Sequence, residues 1–131
     1  MFTTIHWARV AIGGVLSELG VIAVLVVSIV IYVKVIAPGV SAEERKTLGA
    51  RVGYYVAPAA GLVTTSLAAF WAARGLESGF IANGFTVGVI SVVIALPFFF
   101  HANPEHRLMY GMAFVLRLGA GYFGGFLAQP W

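Results

Sequence analysis

Val10 to Ile36 reads VAIGGVLSELGVIAVLVVSIVIYVKVI, an apolar run whose only charged residues are Glu18 and Lys34. A helix needs about 20 apolar residues to cross the roughly 30 Å hydrocarbon core of a bilayer. At about 1.5 Å per residue this run exceeds that core, so it tilts or projects. It closes at Pro38-Gly39, and Lys34 near its end is placed to snorkel to the interface. Three further runs follow, from Val52 to Ala73, Gly79 to Phe100 and Met109 to Ala128. The expected fold is therefore all-α: an integral membrane protein with four transmembrane helices in an antiparallel bundle. One domain is expected over 1–131, with helices near 8–36, 42–73, 79–100 and 109–128.

Composition agrees. Of the 131 residues 60% are hydrophobic and 10% charged, with a mean hydropathy of +0.95. Soluble domains carry about 25% charged residues, and one of this length has no means of hiding so much apolar surface. There is no cysteine, which excludes disulfides and thiolate chemistry. The net charge of +3 comes from few residues, mostly in the connections, so it reads as orientation and headgroup contact. No basic block exists to track a phosphate backbone, and no nucleic-acid partner is expected. The first apolar run is also longer than the roughly 7–15 residues of a signal-peptide core.

Ser41-Ala42-Glu43-Glu44 is a capping box, which predicts that the second helix starts outside the lipid and enters it with a kink at Pro58. Aromatic residues form two belts. Phe2, Trp7, Phe70, Trp71, Phe80, Tyr122 and Trp131 mark one face; Tyr32, Tyr54, Tyr55, Phe98, Phe99, Phe100 and Tyr110 mark the other. Lys and Arg are more frequent around the first and third connections, which places both termini on the extra-cytoplasmic side. A multi-pass protein of a bacterial inner membrane is the expected setting.

Small residues recur at helical spacing on every run. Gly13, Ser17 and Gly20 lie on the first, Gly61 on the second, Gly84 and Gly88 on the third, Gly121 and Gly124 on the fourth. They predict close helix packing; a narrow pore is the other use of such stripes. Glu18 and Arg117 lie on these small faces and point inward, at similar depth from one membrane face. Charges within the membrane are expensive, so they pair and often mark function. As a bridge, the two fix the register of helices one and four. As a coupling carboxylate, Glu18 instead exchanges protons, and an adjacent guanidinium works against this by favouring the ionised form. Ser17, Thr64, Thr65 and Asn83 form an expected polar layer, with Asn83 and the threonines placed to take up the remaining donors of Arg117.

His101 and His106 flank Pro104, and only Glu105 is near them, too few ligands for a metal. No catalytic constellation or cofactor motif is present. An inward Glu in the first helix is similar to that of the small multidrug resistance transporters, which implies a proton-coupled site at Glu18. Ala72-Ala73-Arg74-Gly75 with Asn83-Gly84 and Gly88 is similar to four-helix bacterial membrane families. The charged first connection and Arg117 have no counterpart in the transporters. The expected function is a non-enzymatic membrane subunit that binds other transmembrane helices, in a homo-oligomer or as an accessory part. A small proton-linked transporter or ion channel is the alternative, and an enzyme acting on a lipid or quinone comes third. A water-accessible cavity at Glu18 is the feature that separates the first two.

Overall fold

In lipid every backbone N–H and C=O must be paired within the chain, and a helix does this segment by segment. The computed structural model describes residues 5–36, 39, 41–101 and 104–130. Phe2, Pro38 and Trp131, named above, lie outside the described residues, as does the side chain of His106. Helix α1 spans Trp7–Ile31 and continues as a π-helical turn over Tyr32–Ile36. Helix α2 spans Ala42–Ala73, α3 Phe80–His101 and α4 Arg107–Ala128, the last preceded by a short 3-10 turn at Pro104–His106. All four are long and apolar enough to cross a membrane. The fold is the expected all-helical bundle, and its features are compatible with a multi-pass membrane protein.

The first turns of α2 are polar and exposed, and Ser41 starts them. Its Oγ accepts from the Glu44 backbone N–H at 3.2 Å, while Glu43 and Glu44 sit at the positive end of the helix dipole. Ser41→Ala is expected to weaken this end by about 1 kcal/mol, roughly a fivefold faster exchange of the first amides of α2. Hydrogen exchange resolves this; unchanged rates at Glu44 and Arg45 would remove the cap from the account. The helix then runs without interruption through Pro58.

The connections alternate the helix direction. The start of α1 meets the end of α2, where Arg9 Nη2 donates to the carbonyls of Trp71 and Arg74 at 2.9 and 3.1 Å, and its guanidinium lies 5.6 Å over the Trp71 ring. A cation there satisfies carbonyls that the helix end leaves open. The start of α1 also meets the start of α3, where the Asn83 Oδ1 accepts from the His6 backbone N–H at 2.8 Å. Four helix ends thus gather at one face, with Phe80 beside Gly125 near the end of α4.

Around the bundle, α4 packs on α2 and α3, and α1 packs on the same two, which also touch each other. Helices α1 and α4 therefore occupy opposite corners of a rhombus. Near the gathered ends the interior is filled by Val10, Ala68, Ala69, Ala72 and Val87, and the α3–α4 backbones are nearly in contact. A Cβ built on Gly84 would lie 2.6 Å from the Gly121 carbonyl oxygen, and one on Gly88 2.7 Å from the Arg117 carbonyl oxygen. Gly124 is tighter still, 2.4 Å from the Ser66 carbonyl oxygen, while Gly20 and Gly13 meet side chains, at 2.9 Å from Thr64 and 3.2 Å from Val87. This is close association through small residues, the packing that works where burial from water supplies no drive.

Candidate functional site: a buried ion pair at a cavity

Glu18 lies eleven residues from the start of α1 at Trp7, and Ser91 eleven from the start of α3 at Phe80. Arg117 lies eleven residues before the end of α4 at Ala128. These three helix ends share one face, so all three residues stand about 16 Å deep, close to the middle of a roughly 30 Å core.

There they meet. Arg117 Nη1 donates to Glu18 Oε1 across the long diagonal of the bundle. The Ser91 hydroxyl donates to the same carboxylate oxygen at 2.7 Å. Arg117 Nη1 also approaches the Ser91 Oγ at 3.2 Å and its carbonyl at 3.5 Å. Gly61 of α2 floors the guanidinium: a Cβ there would lie 2.9 Å from Arg117 Nε. The side chains of Arg117 and Glu18 keep only 9% and 12% of their surface exposed. Every helix thus contributes to the site, and a charge-assisted contact links the two helices that otherwise scarcely touch.

The four residues expected to form one polar layer separate into distinct contacts. Ser17 and Thr65 share a buried hydrogen bond of 2.7 Å between α1 and α2. Thr64 bonds back to the Ala60 carbonyl of its own helix at 2.8 Å, a habit of threonine in helices. Asn83 holds His6 and donates to the Gly79 carbonyl at 2.7 Å. Neither Thr64 nor Asn83 is placed on Arg117. Asn83 is eight residues short of Ser91 on α3, about 12 Å nearer the membrane face, beyond the reach of a short amide. The residue that joins the pair is Ser91. It follows Gly88 by three residues on the small face of α3, and only its equal count from the shared face singles it out.

A cavity of about 310 Å³ opens beside the pair. All four helices line it: Val21, Ile22 and Leu25 from α1, Tyr54, Ala57 and Pro58 from α2, Ala95 and Phe98 from α3, and Tyr110, Ala113 and Phe114 from α4, with Glu18 and Arg117 at one end. Gly49 and Met109, near the first and third connections, mark the other end. The bundle is therefore packed through glycine on one side of the ion pair and hollow on the other.

No family model, curated protein or solved structure matches this chain. Among the described residues no three His, Asp or Glu side chains gather as metal ligands.

Proposed function

We propose that this chain is a non-enzymatic membrane subunit that works by binding other transmembrane helices, in a homo-oligomer or as an accessory part of a larger complex. One observation carries the reading. Gly111 and Gly119 flank Val115 on successive turns of α4, and a Cβ added to either glycine meets nothing within 4 Å. Val115 itself is 67% exposed. The inner glycines of α4 are spent on packing within the bundle, whereas these two leave a shallow strip on its outer face, the relief that lets a second helix approach closely. The short connections leave little outside the lipid for recognition.

The absence of cysteine makes the test clean, since Val115→Cys introduces a single thiol. Oxidative cross-linking in native membranes is expected to give one discrete adduct, a dimer or a complex with another membrane protein. Gly111→Leu with Gly119→Leu should reduce it at least about fivefold, as expected from loss of a small-residue interface. An unlinked monomer in native membranes, or an adduct indifferent to the leucines, would sink the proposal.

The cavity favours a second reading, in which the bundle is a small proton-linked transporter or channel using Glu18. Sites of this kind lie near the bilayer midplane between helices. The close engagement of Glu18 by both Arg117 and Ser91 works against it, because a coupling carboxylate must exchange its proton.

A further inference from the structure

The hollow half of the bundle has the make-up of a small-molecule site. Its volume of about 310 Å³ falls at the lower end of the roughly 300–1,000 Å³ usual for such sites, and apolar walls with a few convergent polar groups are their ordinary composition. A void that held only lipid tails would need no polar group at its end. This one ends on the Arg117–Glu18 bridge, whose side chains are about nine-tenths buried.

The way the pair is joined leaves the Nε–H and Nη2 donors of Arg117 and the Oε2 acceptor of Glu18 unused. Nη1 of Arg117 and Oε1 of Glu18 make the ionic contact, and Ser91 engages these same two atoms. Among the described residues, Arg117 Nη2 and Glu18 Oε2 have no hydrogen-bond partner. No fully buried side-chain polar atom among those residues lacks one. The unused ends are therefore not fully buried, and both residues line the cavity.

Charge selects the ligand class. The pair is neutral as a whole, so an anion or cation entering the cavity would bring an uncompensated charge into an apolar site, at a high desolvation cost. A hydrocarbon would enter but leave Nη2 and Oε2 without partners. We infer that the cavity binds a neutral small amphiphile whose head accepts a hydrogen bond from Arg117 Nη2 and donates one to Glu18 Oε2, as a carboxamide or a phenol does. Its apolar body lies along Val21, Leu25, Phe98 and Phe114. This site is independent of the partner-helix strip on the outer face of α4, and occupancy is read on the isolated bundle.

The probes are 4-butylbenzamide, butylbenzene and 4-butylbenzoate, titrated against the purified protein in lipid nanodiscs and followed by ligand-observed NMR. The benzamide is expected to bind saturably, one per bundle. Butylbenzene should bind at least about tenfold more weakly, the effect of losing hydrogen bonds to charged partners, and the benzoate more weakly than the amide. Ala113→Leu, which fills the cavity wall, should abolish amide binding while the bundle stays folded by SDS titration. Ala57→Leu on the facing helix serves if the first variant does not fold. Equal binding of butylbenzene, tighter binding of the benzoate, no saturable binding of the amide, or amide binding that survives in a folded cavity-filled variant would each overturn the assignment.

Discussion

Glu18→Gln is expected to destabilise the bundle strongly, and Glu18→Gln combined with Arg117→Met to recover much of the loss. The glutamine retains an acceptor for Arg117 Nη1 and for the Ser91 hydroxyl, so the shape of the site changes little. What it removes is the charge that balances a guanidinium near the middle of the membrane. Breaking one side of a buried pair costs about 3–5 kcal/mol in soluble folds. In a bilayer, snorkelling and local water reduce that penalty; here Arg117 is held by the Gly61 floor and by Ser91, which limits its escape. The double variant leaves no lone charge. SDS-induced unfolding of the purified protein measures both. A Glu18→Gln protein as stable as the parent, but defective in proton-coupled flux in liposomes, would remove the structural bridge and establish the transporter reading in its place.

The second large effect is expected at Gly84. A Cβ there would lie 2.6 Å from both the Gly121 carbonyl oxygen and the Gly125 Cα, and 2.7 Å from the Gly125 nitrogen. These are backbone atoms, and no rotamer change relieves them. Helix α4 has to move off α3, and Arg117 would move with it. Overpacking costs about 1–3 kcal/mol for small insertions, so Gly84→Ala should fall in or above that range and Gly84→Leu should prevent assembly. Gly111→Ala and Gly119→Ala are the controls. Both face open space and should stay within about 0.5 kcal/mol when unfolding is measured on the monomer. A Gly84→Ala protein as stable as these controls would mean that the α3–α4 contact is looser than the structure shows.

The two effects are linked by position. The glycine contacts set how close α3 and α4 approach, and that approach holds Ser91 and Arg117 together beneath Glu18. Where the glycines end the cavity begins, with Ala57, Ala95 and Ala113 on its walls but no helix backbone near enough to fill it.

Much of this was legible in the residues alone. Four apolar runs specify four helices, because only helices satisfy the backbone within a lipid-spanning segment. The boundaries near 42–73 and 79–100 fall within about a residue of the observed ends, since Ser41 is a strong start signal and Gly75 and Gly79, both at positive φ, break the chain between them. The inward aim of Glu18 and Arg117 follows from a period of about 3.6, and their common depth from a rise of about 1.5 Å per residue. Periodicity and rise describe one helix at a time, however, and carry no information on which neighbour a side chain meets. That α1 and α4 stand at opposite corners, so that the ion pair crosses the bundle, was decided by the sum of contacts among all four helices. Ser91 rather than Asn83 joins the pair because α3 enters from the same face as α1, and the same count from that face brings Ser91 to the carboxylate. The cavity belongs to no segment; it is the space left where the small residues of four helices fail to meet, and only their assembly could show it.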